Sequence, residues 1–356
     1  MKILSVVGAR PQFVKLAPIH QAVVNAGHCH VIVHTGQHYD PLLSDVFFSE
    51  LGIPEPDDNL HVGSGSHAVQ TASMMVGLEQ AFEHHKPDWV LVYGDTNSTL
   101  AAALVAIKMH VRVAHLEAGL RSFNRLMPEE HNRILTDHAS DLLLAPTVGA
   151  MDHLAHEGLS SKSVLVGDVM TDVCFNTHEK VVRIPPKLPE NWPTQSDWVI
   201  ATIHRQENTD NEIRLRQIVS YLAESRFPIC LLVHPRLRDI AQKLGVELNV
   251  GSIQSFEPLN YSQLVWSLGN CVGVITDSGG LQKEAFLLGA PCITLRTETE
   301  WTETVDLGWN TLVPDCDQSI NSIFSRIYVP EDSRPYGQGQ AAKNVVLQLE
   351  LNANGK

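Results

Sequence analysis

In this chain of 356 residues the side chains able to do acid–base chemistry gather where short apolar runs end. Asp95 follows the run Trp89–Tyr93 in Tyr93-Gly94-Asp95-Thr96-Asn97, and Glu117 follows the next in His115-Leu116-Glu117-Ala118-Gly119. If the two runs are neighbouring parallel strands, both carboxylates hang over one edge of a sheet, where a cluster of acids shifts pKa values apart and can move protons. A second acidic pair, Glu129-Glu130, follows Pro128 at an expected helix start. A carboxylate there also gains from the helix dipole, which accounts for the pair without chemistry.

Two further turns read as anion seats. Gly8-Ala9-Arg10-Pro11-Gln12-Phe13-Val14-Lys15 joins a glycine turn to a helix start flanked by two cations, so backbone N–H groups, Arg10 and Lys15 would receive a phosphate. It lacks G-x-G-x-x-G, and no dinucleotide is implied. In Thr276-Asp277-Ser278-Gly279-Gly280-Leu281-Gln282-Lys283-Glu284, Ser278 is expected to cap a helix over 281–288 while Gly279 and Gly280 let backbone approach an anion. Glu284, one turn in, is placed to accept hydrogen bonds from a ribose. One seat in each half of the chain suits a nucleoside diphosphate. His204 ends another apolar run in Ile203-His204-Arg205-Gln206, a position that raises it among the 18 histidines, although His234 follows the next run in the same way. No His or carboxylate spacing fits a metal site and no G-x-S-x-G elbow is present, so neither metal nor cofactor is expected.

These residues need a scaffold that delivers them to strand ends. Apolar runs alternate with amphipathic stretches, the pattern of an α/β protein with doubly wound parallel sheets. Strands are expected at 2–7, 30–34, 89–93, 112–115, 142–145 and 163–166, then near 198–203, 229–233, 273–276 and 291–295. Helices are expected to begin near Pro11, Ser66, Asn97, Pro128 and Val148. The stretch 183–197 holds four prolines and no hydrophobic period, so it reads as a linker between a domain over 1–182 and another over 198–336. Two such units facing each other would enclose a cleft, with a helix over 337–351 packing back on the first. Forty acidic against 26 basic residues argue against a nucleic-acid partner. Six dispersed cysteines, no C-x-x-C pair, no signal-like N-terminus and no membrane-length apolar run make the cytoplasm the expected compartment.

Taken in order, G-A-R-P-Q-F-V-K, H-T-G-Q-H-Y-D, V-Y-G-D-T-N-S-T, H-L-E-A-G-L-R-S, P-E-E-H-N-R, H-R-Q-E-N-T and T-D-S-G-G-L-Q-K-E-A resemble the non-hydrolysing UDP-N-acetylglucosamine 2-epimerases, over residues 1 to about 350. The resemblance implies two Rossmann-like domains in the GT-B arrangement, a homodimer, and interconversion of UDP-GlcNAc with UDP-ManNAc. It assigns Asp95, Glu117 and Glu129 to acid–base work at the sugar C2, and His204 to the departing UDP. Arg10, Lys15, Ser278, Gly279, Gly280 and Glu284 would hold the nucleotide, and Gln37, His38 and Arg205 match some residues of a regulatory UDP-GlcNAc site. Two positions depart from the family pattern: Glu300-Trp301-Thr302-Glu303 stands for its E-R-P-E, and Leu264 for its uracil-stacking aromatic. The first variant is similar to the epimerases acting on UDP-2,3-diacetamido-2,3-dideoxyglucuronate. A GT-B glycosyltransferase would share the fold and the nucleotide seat.

Overall fold

The computed structural model describes residues 1–37, 53–326 and 334–353. The chain divides into two compact units, 1–173 with 334–356, and 174–333. In the first, strands β1 (Lys2–Val7), β2 (Cys29–His34), β3 (Asp58–Asn59), β4 (Trp89–Tyr93), β5 (Arg112–Leu116), β6 (Leu142–Ala145) and β7 (Ser163–Leu165) form one sheet in the order β3-β2-β1-β4-β5-β6-β7. Every recorded pairing is parallel. The order reverses between β1 and β4, the point beyond which open α/β sheets bind ligands.

Each strand of this sheet's centre is apolar on both faces, as a sheet covered on both sides requires. Ile3 and Val7 of β1 with Trp89, Leu91 and Tyr93 of β4 face one core, together with Phe13, Leu16 and Ile19 of α1 (Arg10–Asn25). Leu4, Val6, Val90 and Val92 face the other, against α2 (His67–His85) and α3 (Asn97–Lys108). Helix α4 (Pro128–Ala139) precedes β6, and α5 (Val148–His156) follows it. After β7 comes α6 (Val169–Arg183), within which the division between units falls. The C-terminal helix Ala341–Leu351 buries Ala341, Ala342, Val345, Val346 and Leu349 in the same core as α1, within the first unit.

The second unit repeats the plan with β8 (Val199–Thr202), β9 (Ile229–Leu232), β10 (Ile253–Phe256), β11 (Gly273–Thr276), β12 (Cys292–Thr294) and β13 (Asn310–Leu312), ordered β10-β9-β8-β11-β12-β13 and parallel. Its switch point lies between β8 and β11. The boundary differs from the expected 182/183. The proline-rich stretch is built into the second unit: Trp192 is buried with its ring 4.7 Å from that of Phe256, and the Lys187 carbonyl accepts from Gln263 Nε2 at 2.7 Å. An indole and a packed leucine, Leu188, turn a linker-like composition into core. Similarly, 334–336 belongs by its contacts with the first unit, Tyr336 being buried with its carbonyl accepting from the Asp168 N–H. No described helix is long and apolar enough to cross a membrane.

Candidate active site

The turn after β1 begins with Gly8, where an added Cβ would stand 2.1 Å from Thr35 Oγ1 and 2.3 Å from Ser98 Oγ, so only glycine fits. Buried Gln12 then folds back on it. Its Oε1 accepts from the N–H of Gly8 at 2.8 Å and of Ala9 at 3.0 Å, and its Nε2 donates to the Tyr93 carbonyl at 2.8 Å. Two N–H groups expected to receive a phosphate are thereby occupied. Pro11 contributes none. Lys15, one turn further, is ion-paired with Glu117, both side chains only 13% exposed. Burial works against the ammonium, but Glu117, with Asp168 and Asp95 adding to it, carries its pKa above the ordinary lysine value. Lys15 is therefore committed to Glu117, within the field of Asp95, rather than standing ready for an anion. Arg10 opens α1; its side chain lies outside the described residues.

Glu117 has φ +69°, a left-handed conformation that costs a non-glycine residue roughly 1–2 kcal/mol. Its N–H donates to the Leu144 carbonyl at 3.1 Å, and its carboxylate lies over Gly94, whose absent Cβ would be 3.2 Å from Oε2. Asp95 is held by Arg133 of α4, which also pairs with Glu130 at 2.7 Å. Asn132 Nδ2 donates to the Asp95 carbonyl at 2.9 Å. Of the adjacent acids, Glu130 is committed to structure: buried, it accepts from the Ser122 N–H and hydroxyl and the Phe123 N–H. Burial raises its carboxyl, yet these bonds and Arg133 hold it below the usual range. Glu129, half-buried, has no hydrogen-bond or ion-pair partner among the described residues. The first unit thus gathers Asp95, Glu117 and Lys15 and leaves one uncommitted acid, Glu129, on the helix that clamps Asp95.

In the second unit the residues at the ends of β8 and β11 interlock. Asp277, fully buried, accepts from the N–H of His204 at 3.1 Å, the N–H of Arg205 at 3.0 Å and Asn208 Nδ2 at 3.0 Å. His204 Nδ1 lies 3.0 Å from its carboxylate. Burial pushes this carboxyl up, but the bonds from His204, Asn208 and Arg205 keep it below the usual range. An ionised Asp277 makes His204 donate from Nδ1 and leaves Nε2 for a ligand, on a side chain 42% exposed.

Ser278 heads the helix Gly279–Leu287, but its hydroxyl makes no cap, contrary to expectation; its own N–H is engaged by Thr276 Oγ1 at 2.9 Å. The hydroxyl is left without a partner among the described residues. Gly279 is required, since a Cβ there would be 2.0 Å from Glu300 Oε1, and Glu300 is tethered by Arg296 at 2.8 Å. Trp301, which departs from the family pattern, carries Lys283 Nζ 4.3 Å over its ring. Glu284 sits beside Tyr261 and Cys174; burial raises the Tyr261 phenol and the carboxylate adds to the rise. Gln37 is spent on Ser98, whose N–H and hydroxyl donate to its Oε1 at 3.1 and 2.7 Å. His38 lies outside the described residues.

Sequence reasoning missed Gln12, Arg133 and Asp277. Each had a signal: all stand in the motifs quoted, and Asp277 occupies the strand-end position already used to single out Asp95 and Glu117.

Two Rossmann-like sheets, each with polar residues at its switch point, place the chain in the two-domain α/β class. A family model described as UDP-N-acetylglucosamine 2-epimerase matches residues 22–350. The chain is 44% identical to the UDP-2,3-diacetamido-2,3-dideoxy-D-glucuronate 2-epimerase of Pseudomonas aeruginosa, over 98% of this chain and 99% of that protein. Among solved structures, UDP-GlcNAc 2-epimerase from Methanocaldococcus jannaschii is similar at TM-score 0.84 and 35% identity, covering 99% of this chain and 100% of that one. The Neisseria meningitidis UDP-GlcNAc 2-epimerase, bound to UDP-GlcNAc, is similar at TM-score 0.84 and 30% identity, with the same coverage. The chain belongs to the UDP-N-acetylglucosamine 2-epimerase family and is not a glycosyltransferase.

Proposed function

We propose that this protein inverts C2 of a UDP-activated 2-acetamido sugar by expelling UDP and adding it back. The observation that carries the reading is the pairing of Lys15 with Glu117 at the end of β5, with Asp95 on the neighbouring strand inside the same field. A sugar C2–H has no adjacent carbonyl to acidify it, so a carboxylate of ordinary basicity cannot remove it directly. Breaking the C1–O bond first leaves both electrons on UDP and a cationic C1. The C2 proton then passes to a carboxylate, and the C–H electrons become the C1=C2 bond of a glycal. Re-addition of UDP with protonation from the opposite face gives the epimer, so two acid–base groups are needed.

Glu117, paired with Lys15, and Glu129, unpartnered among the described residues, are the proton-transfer pair, with Asp95 orienting or sharing the proton. Unit 2 supplies the nucleotide seat. His204, on its Asp277 support, and the Ser278 hydroxyl, unpartnered among the described residues, with Gly279 and Gly280 meet the charge growing on the diphosphate. Glu284 takes the ribose, and Arg10 and Lys15 add positive field. Lys15 does so while paired.

UDP-GlcNAc is the first substrate of this reading. A second, UDP-2,3-diacetamido-2,3-dideoxyglucuronate, is favoured by Trp301 and by the relative 44% identical along its whole length. Both carry the same C2–H and leaving group. Incubating the enzyme with each nucleotide sugar alone in D₂O is expected to place deuterium at C2 and yield two epimers from the true substrate. Absence of label from both, or label only after an acceptor is added, would overturn the reading. The family resemblance further supports a cytoplasmic homodimer; sedimentation of the purified chain and cell fractionation test those two points.

A further inference from the structure

Beneath the carboxylates of the first unit runs a buried chain of charges to which nothing above gives a role. His115 and Asp137 side chains are both fully buried, with Nδ1 2.7 Å from Asp137 Oδ1. The other ring nitrogen, Nε2, lies 2.7 Å from the Gly94 carbonyl, which can only accept. Burial raises Asp137, but His115 and Arg121 hold it below the usual carboxylate range. Asp137 is therefore an acceptor too, and both ring nitrogens of His115 face acceptors. Asp137 Oδ2 takes the Gly119 N–H at 3.1 Å and Arg121 Nη2 at 2.7 Å, and Arg121 is closed by Glu157 through bonds of 2.7 and 2.8 Å.

The endpoints of this chain are the two turns that carry the acid–base groups. Gly94, φ +62°, immediately precedes Asp95; Glu117 and Gly119, φ +69° and +85°, form the next turn. Gly94 is held on one side by its N–H to the Leu116 carbonyl at 3.0 Å and on the other by His115. Gly119 is held by Asp137 and pressed against helix α5, where a Cβ would meet the Ala150 carbonyl at 2.4 Å. Left-handed residues persist only where their surroundings over-determine them. A simple structural ion pair would not need to join both turns.

We infer that His115 and Asp137 are positioning residues that set the Glu117 carboxylate against Asp95, Arg121 and Glu157 anchoring them. The inference rests on the proposed epimerase reading. A misplacement of about 1 Å at a reacting group can cost a hundredfold in rate without weakening substrate binding. The expected result for His115→Gln and Asp137→Asn is therefore a kcat lower by roughly 10–100-fold with KM within about threefold of wild type. Unchanged kcat, or KM rising in step with the fall in kcat, would overturn it.

Should either variant fail to melt cooperatively, Glu157→Gln loosens the outer link at a carboxylate 27% exposed. It is expected to lower kcat by about two- to fivefold at constant KM, the smaller loss of a more remote position; an unaltered kcat would overturn the inference. Wild-type deuterium exchange, run first, separates the two levels. Failure there sinks the epimerase reading, whereas normal exchange with unaffected variants sinks only the role of His115 and Asp137.

Discussion

At the switch point of the first unit most of the described charges, Glu129 excepted, are spent on one another: Lys15 on Glu117, Arg133 on Asp95 and Glu130, His115 on Asp137. At the corresponding point of the second, the Ser278 hydroxyl is unpartnered among the described residues and His204 keeps 42% of its side chain exposed on a single buried carboxylate. The sheet order is the same in both over six strands, the first sheet adding β7 at its edge. Proton transfer needs carboxylates fixed to a fraction of an ångström, and cross-pairing fixes them. Holding a diphosphate needs donors not yet committed to the protein. On the proposed function, the difference separates the two halves of the reaction, acid–base work in one unit and charge stabilisation in the other.

The contrast breaks most readily at Glu117. Glu117→Gln should lower kcat by about 10²–10⁴-fold, the usual worth of a general base, with little change in KM. A large rise in KM instead would make Glu117 a binding residue. In the open half the expected signature is the reverse. Gly279→Ala drives a methyl into the space of Glu300 Oε1 and should raise KM roughly tenfold, about 1.4 kcal/mol, with kcat less affected. Arg133→Lys keeps the charge but loses the fork shared by Asp95 and Glu130, and should lower kcat by about tenfold in steady-state assays.

A separate effect, away from the site, concerns stability. His30, bonded to Ser5 and His20, is pushed down to about 3 by burial, against an ordinary 6.5. Because its folded pKa is the lower one, the unfolded chain takes up the proton first. The stabilisation is complete above pH 6.5 and falls as pH drops toward 3, by up to about 1.4 kcal/mol per pH unit. Denaturant unfolding of His30→Gln over that window should show a shallower pH slope than wild type; an equal slope would remove His30 from the account.

How much of this the sequence disclosed depends on burial. The central strands are apolar on both faces and were legible, β1, β4 and β11 to the residue. The strands that escaped, β3, β10 and β13, all stand at sheet edges and are short and part-polar: Asp-Asn, Ile-Gln-Ser-Phe and Asn-Thr-Leu. An edge strand is specified by its neighbour's hydrogen bonds more than by its own side chains. The same limit governed the site. The strand-end positions of Asp95, Glu117, His204 and Ser278 follow from pattern alone. That Gln12 takes the N–H groups of Gly8 and Ala9, that Lys15 turns to Glu117, and that Trp192 converts a proline-rich stretch into core are tertiary outcomes, decided by what each side chain meets after folding.

The claim on which the account turns is that the C1–O bond opens before C2 changes hands. It is tested most directly with substrate carrying a heavy-oxygen label in the bridge between C1 and the β-phosphorus. Released UDP can rotate that phosphate before re-adding, so recovered substrate is predicted to show the label scrambled into non-bridging positions as epimers form. Epimerisation through many turnovers with the label still wholly in the bridge would contradict it.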